Sequence, residues 1–296
     1  MIRRLLFAIL LFCTTLPVWA QPLLSTDQPP RLVLAVVVDQ LRYDYLTRFE
    51  SDLDAGLKRL LSEGAVFTNA HYEAAPTMTA VGHSTFLTGA TPSVSGIAGN
   101  GWYDRKEARS VQSITDSSMT PLGGGSGASP RRMLVSTVGD ELKIAGKGGK
   151  VFGVSLKDRG AILPAGHMAD GAFWMNNENG HFVSSNWYFP ELPAWVSAFN
   201  AANPSDQYAG AQWLDLQLPA EAGQDLYRAL DATPFSDQLV LDFSLELLRQ
   251  EQLGTSGQTD LLAVSFSAMD YVGHGTGPDT LRMRDMVLSI DTKLGR

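Results

Sequence analysis

Cysteine is almost absent. The 296-residue chain has one, Cys13, inside its apolar N-terminal stretch. Beyond that stretch, disulfides, thiolate metal centres and cysteine nucleophiles are excluded. Positive charge is also scarce. Lys and Arg number 23 against 31 Asp and Glu, a formal charge of −8, which argues against nucleic acid as a partner. An acidic chain that handles anions must gather its cations locally. A long hydrophobic run occurs once, in "MIRRLLFAILLFCTTLPVWAQP". Its apolar part, about a dozen residues, is too short for a stable bilayer anchor. Histidine is sparse, with five in all and none beyond His274.

The N-terminal stretch reads as a secretory signal peptide over residues 1–20. Arg3 and Arg4 form its basic region, and Val18-Trp19-Ala20 supplies a small-residue cleavage site. Leu10-Leu11-Phe12 before Cys13 lacks the small residue of a lipoprotein site. The expected location is periplasmic or secreted, with no stable membrane anchor after cleavage. Without disulfides, an exported chain must hold itself together by its core. With 44% hydrophobic and 18% charged residues, there is ample material for one.

The remainder, residues 21–296, alternates strands and helices. "RLVLAVVVD" (31–39) is a continuous β-branched run that predicts a parallel strand buried on both faces. A helix is expected over 52–64, a strand in "AVFTNAHYE" (65–73), and a helix beginning near Thr79. "RRMLVSTVGDELKIAG" (131–146) carries another helix and "KVFGVSL" (150–156) another strand. An amphipathic helix follows at 237–254, then a strand at 260–270 ending in aspartate. This order predicts an α/β fold with a largely parallel central sheet flanked by helices. Residues 117–132, rich in glycine and serine, read as a flexible surface loop. Residues 165–235 show little periodicity and read as an inserted cap. No internal repeat is visible.

In open α/β sheets, ligands bind beyond the carboxyl ends of the strands. Asp39 ends the first strand. The 150–156 strand runs into Lys157 and Arg159, and the late strand into Asp270 with His274 four residues on. Carboxylate and imidazole together suit zinc, although a strand-terminal aspartate is also a common helix cap. "PTMTAVGHSTFLTG" (76–89) sets the sharpest alternative. Thr79 either caps a helix or presents its hydroxyl where the helix dipole favours an anion. A metal-bound hydroxyl there would be a nucleophile. Asn100-Gly101 reads equally as a hairpin turn or as a polar contact.

Four stretches in order, "VVVDQLRYDYL", "PTMTAVGHSTFLTGATPSVSGIAGNGWYD", "VSLKDRGAILPAGH" and "AMDYVGHGTG", resemble the alkaline phosphatase superfamily. The likeness is to its threonine-nucleophile branch, which holds nucleotide pyrophosphatase/phosphodiesterases and a group of periplasmic alkaline phosphatases. It runs from about residue 31 to the end. The resemblance implies an alkaline-phosphatase-like sheet and a hydrolase of small phosphate esters using two Zn2+. Thr79 would form a covalent phospho-enzyme. Asp39 would ligate the zinc that activates it, and Asp270 and His274 the zinc that stabilises the leaving group. Asn100 would bond the phosphoryl oxygens. Lys157 and Arg159 match a Lys-x-Arg pair that marks the monoesterases; both would face one phosphate if their segment is extended. His83 is expected to pack or hydrogen-bond locally, and His167 to be structural.

The chain departs from the family in one respect. The family's remaining zinc ligands are an Asp-His pair in a "DHG" context and a distal histidine, and no histidine follows His274. The sequence stops at Arg296 within a helical pattern, "LRMRDMVLSIDTKLGR". The expectation is a C-terminally truncated catalytic domain with an exposed apolar sheet edge, weak zinc binding and little turnover. The alternatives are a phosphodiesterase or nucleotide pyrophosphatase, and a non-catalytic remnant. A sulfatase is disfavoured, because no Cys/Ser-x-Pro-x-Arg sequence is present.

Overall fold

A computed structural model describes residues 28–296. The expected signal peptide and Cys13 lie outside them. Among the described residues no helix is long and apolar enough to cross a membrane.

In chain order the strands are β1 (Leu32–Val38), β2 (Gly101–Asp104), β3 (Arg109–Gln112), β4 (Pro121–Leu122), β5 (Gly148–Ser155), β6 (Gly171–Asn176), β7 (His181–Ser185), β8 (Gln212–Trp213), β9 (Leu216–Gln217) and β10 (Thr259–Phe266). The helices are α1 (Tyr43–Arg48), α2 (Gly56–Glu63), α3 (Thr79–Thr88), α4 (Pro92–Ser95), α5 (Val138–Ile144), α6 (Asp158–Ala165), α7 (Ala194–Ala201), α8 (Gln224–Leu230), α9 (Pro234–Gln250), α10 (Ala268–Thr276) and α11 (Leu281–Leu294).

Six strands form the central sheet in the order β1-β10-β5-β6-β7-β4. The first four are parallel, so their carboxyl ends open on one edge. β10 and β5 lie inside the sheet, and Leu261, Leu262, Val151 and Val154 are fully buried. Helices α9, α10 and α11 cover one face, and α3, α5 and α6 the other. A Cβ on Gly153 of β5 would lie 2.1 Å from the Ala161 carbonyl. Glycine there lets α6 lie directly on the sheet. The larger core packs Phe173, Phe182 and Phe243 at its centre; the Phe182 and Phe243 rings stack 4.1 Å apart.

Several expectations need correction. β1 is an edge strand rather than one buried on both faces; Leu34 is 53% exposed and only Ala35 is buried. Residues 65–73 form no strand, and Phe67 and Tyr72 project outward; a β-rich composition without a neighbour to pair with does not make a strand. The helix expected within 131–146 is present as α5. The loop at 117–132 is not slack. Buried Asp116 accepts hydrogen bonds from Ser118, Ser129 and Arg131, and β4 pairs with β7. Residues 165–235, expected as a cap, place β6 and β7 in the main sheet before the irregular part begins.

Asp140 ties α5 to the turn after α6. Thr137 and Asp140 form a reciprocal capping box. The same carboxylate accepts from the His167 and Met168 backbone N–H groups at 3.2 and 2.6 Å. Burial raises the Asp140 pKa, but the His167 ring and these N–H bonds outweigh it and hold the pKa at about 2. A depressed carboxylate pKa adds stability above the unfolded value, lost as pH falls through the folded one. Asp140→Ala strands these donors and should lower unfolding free energy by about 3 kcal/mol at neutral pH. Urea titrations should show the gap to wild type closing between about pH 4 and pH 2; a gap independent of pH contradicts this account.

Candidate active site

The parallel strands deliver three chain segments to one edge. Asp39 follows β1, and its N–H donates to the Phe266 carbonyl at 2.9 Å, which pins the end of β1 to the end of β10. Gln40 then takes a left-handed backbone, φ 62°, and turns the chain sharply away. Gly273 of α10 receives it: a Cβ there would sit 2.0 Å from the Gln40 amide oxygen. Asp270 is not at a strand end, because β10 stops at Phe266 and α10 begins at Ala268. Asp270 and His274 are consequently one helical turn apart on one face, with Nε2 3.3 Å from Oδ1.

Thr79 is the first residue of α3. Met78 holds the cap position and no side chain caps the helix, so the capping reading of Thr79 fails. Its hydroxyl donates instead to Asp39 Oδ2 at 3.3 Å. The residue is 9% exposed at the end of a ten-residue helix, where backbone N–H groups and dipole favour negative charge. Asn100 is not at a hairpin turn either; it precedes β2, whose turn to β3 lies at residues 105–108. Its Oδ1 accepts from the Ala80 N–H at 2.9 Å, and its amide N–H groups make no hydrogen bond among the described residues.

Lys157 lies two residues beyond β5, immediately before α6, and is nearly fully buried. Its ammonium lies 2.8 Å from Asp39 Oδ2 and 2.5 Å from Asp270 Oδ2, and 4.7 Å from the Tyr271 ring centre. Thr79, Asp39, Lys157, Asp270 and His274 thus form one connected polar cluster. Arg159 is not two steps along an extended segment, as expected; α6 starts at Asp158, so Arg159 sits in a helical first turn. Lys157 and Arg159 nevertheless line one cavity of about 340 Å³, with Asp158, Trp174, Asn176 and Tyr271. The buried Arg159 Nε has no partner there among the described residues.

Two carboxylates, an imidazole and a hydroxyl are donors of the kind that hold a divalent metal. They fall short in number: among the described residues no group of three His, Cys, Asp or Glu is assembled to hold an ion. The donors fit the chemistry of a metal site without completing one.

Two contributors escaped sequence reasoning. Asp237 is fully buried on α9 and accepts from the Ser267 and Ala268 N–H groups at 3.1 and 3.2 Å, fixing the start of the helix that carries Asp270. Burial pushes its pKa up to about 6. An aspartate among the buried positions of an amphipathic helix was the available signal. His83, expected to act locally, reaches Ser265 on β10. His167 is structural as expected; it spans Asp140 and the Met133 carbonyl.

The family model described as Type I phosphodiesterase / nucleotide pyrophosphatase matches residues 33–296. Alkaline phosphatase PhoV of Synechococcus elongatus is 38% identical over 304 residues, 91% of this chain and 55% of PhoV. Alkaline phosphatase PafA of Elizabethkingia meningoseptica is 38% identical over 304 residues, 90% of this chain and 55% of PafA. The crystal structure of wild-type PafA superposes with a TM-score of 0.82 at 37% identity, covering 90% of this chain and 58% of that one. A PafA variant substituted at a threonine, an asparagine, a lysine and an arginine superposes at 0.83, with 36% identity and the same coverage. The chain spans about 55% of the length of the curated relatives it matches.

Lys157→Met would leave Asp39 and Asp270 facing each other without a counter-charge. With chelator present, the expected loss is about 3 kcal/mol in urea unfolding. An unchanged midpoint contradicts the bridge.

Proposed function

This chain belongs to the type I phosphodiesterase / nucleotide pyrophosphatase family, and from that premise we propose that it carries the nucleophile-bearing part of a zinc-dependent phosphate monoester hydrolase. The observation that carries the proposal is the Thr79 hydroxyl, buried at a helix N-terminus and hydrogen-bonded to the Asp39 carboxylate. The Thr79 oxygen bonds to phosphorus as the ester P–O bond breaks; its proton is given up by way of Asp39 to solvent, the departing alkoxide takes one up, and water then hydrolyses the phospho-threonine to phosphate and the free hydroxyl. Asp39 accepts the hydroxyl hydrogen bond and orients the attacking oxygen. Backbone N–H groups at the start of α3 face the phosphoryl oxygens, and the Asn100 amide donates to them.

Lys157 and Arg159 supply positive charge. A monoester dianion concentrates more charge on its non-bridging oxygens than a diester does, so two cations favour it. The Lys157 ammonium, a flexible point charge, rests between the two carboxylates and would be free to meet the phosphoryl group if Asp39 and Asp270 held metal. Two bound Zn2+, held in part by Asp39 with Thr79 and by Asp270 with His274, would supply hydroxyl acidification and charge neutralisation. The cavity beside Lys157 and Arg159 accommodates the alcohol portion of a small phosphate ester. The substituted residue types of the PafA variant, with Thr, Asn, Lys and Arg, are those of Thr79, Asn100, Lys157 and Arg159, which supports the assignment. Export through residues 1–20 belongs to the same proposal.

A phosphodiesterase is the second reading, favoured by the family description. The lysine-arginine pair and the alkaline phosphatase relatives favour monoesters. Because the relatives are longer, rates are measured on the natural gene product at full length. Thr79→Ala should lower kcat on p-nitrophenyl phosphate by about 10³-fold or more. Replacing Lys157 and Arg159 together by Ala should lower the monoester-to-diester ratio of kcat/KM by at least about tenfold; an unchanged ratio points to the diesterase. The isolated 296-residue chain, dialysed against micromolar zinc, should retain well under one Zn2+ per molecule by elemental analysis. Retention near two contradicts the incomplete donor set.

A further inference from the structure

His83 sits one turn into α3 and is almost wholly buried. Burial lowers its pKa. Its Nδ1 lies 2.8 Å from the Thr79 carbonyl and its Nε2 2.7 Å from Ser265 Oγ. A carbonyl only accepts, so Nδ1 carries the hydrogen. The neutral ring then offers Nε2 as an acceptor, and the Ser265 hydroxyl donates to it. That commits the rest of a buried chain. Ser267 Oγ, 3.4 Å away, must donate to Ser265, and Ser155 Oγ, 3.5 Å further, must donate to Ser267. Ser155 in turn accepts from the Lys157 N–H at 3.1 Å. Each hydroxyl donates once and accepts once. The two serine–serine links exceed the usual 2.7–2.8 Å and are weak; the His83 contacts are the tight part.

The position of this chain in the sheet matters. Ser265 is in register with Val37 of β1 and with Ser155 of β5. Asp39 is two residues beyond Val37, and Lys157 two beyond Ser155. One rung of the sheet therefore carries the start of both segments that meet the Thr79 hydroxyl and its carboxylate. His83 fastens α3 to that rung. Gly160 of α6 closes over it, for a Cβ there would lie 2.5 Å from Ser155 Oγ and 3.3 Å from Ser265 Oγ.

We propose that His83 is a positioning residue, bridging the Thr79 carbonyl to Ser265 so that the Thr79 hydroxyl is held in register with Asp39. The proposal rests on the reading of Thr79 as nucleophile. An error of about 1 Å in such an alignment can change a rate by about a hundredfold, whereas loss of the bridge leaves the Lys157, Arg159 and Asn100 side chains in place. The signature is a fall in kcat without a matching change in KM.

The test is a double-mutant cycle on p-nitrophenyl phosphate with full-length enzyme, each rate expressed per folded, active-site-titrated molecule. Ser265→Ala should lower kcat about tenfold and leave KM within about twofold. In a His83→Asn background, which keeps the Nδ1-like donor but cannot reach Ser265, the serine change should add nothing further. If Ser265→Ala does not fold, His83→Asn alone must show the same split between kcat and KM. A Ser265→Ala enzyme within twofold of wild type in kcat, or losses that multiply in the double variant, overturns the bridge. Thr79→Ala runs alongside. If it stays active, the nucleophile reading and the bridge fall together. If it is dead while Ser265→Ala runs at the wild-type rate, only the bridge falls.

Discussion

Two carboxylates and one ammonium organise this molecule. A sheet whose four parallel strands share a direction sends their carboxyl ends to one edge, and Asp39 and Asp270 are brought there together. Two like charges at the rim of a buried core cannot stand without a cation between them. Lys157, two residues beyond β5 on the other side of β10 from β1, provides it. The backbone bond from Asp39 to Phe266, the Gln40–Gly273 contact and the Asp237 grip on α10 fix the carboxylates from behind. The Thr79 hydroxyl then meets a carboxylate whose position is already determined.

Much of this was legible in residue types. The apolar runs ending in polar residues located β5 and β10, and the threonine at the head of an apolar helix located Thr79. Local pattern could not tell how many neighbours a strand has. β1 reads as a doubly buried strand, yet it lies on the edge, because burial is decided by what pairs beside it and not by its own side chains. Residues 65–73 failed for the same reason. Arg159 was misplaced because the onset of α6 at Asp158 depends on tertiary packing over Gly153. His83 could not be assigned from spacing, since its partner is 182 residues away. The ammonium bridge was equally invisible: Lys157 was expected to face an anion, and it rests on two carboxylates.

Family membership rests on nearly the whole described chain, and the polar cluster lies at one edge of its sheet. PhoV and PafA are each 38% identical to this chain over 55% of their own length. Within the matched part, a hydroxyl, two carboxylates and an imidazole are joined through Lys157, which with Arg159 also lines the neighbouring cavity. Lys157 already neutralises both carboxylates of this edge, so under the proposed reading any metal bound there would have to displace its ammonium.

The most direct measurement is to trap the covalent intermediate. Full-length enzyme mixed with a phosphate monoester is quenched in acid within its first turnovers, digested, and its peptides examined by mass spectrometry. The account predicts a phosphoryl group on the peptide containing Thr79, at that residue, and none when substrate is omitted. Phosphate found on another side chain, or steady turnover with unmodified Thr79 at every quench time, would contradict it.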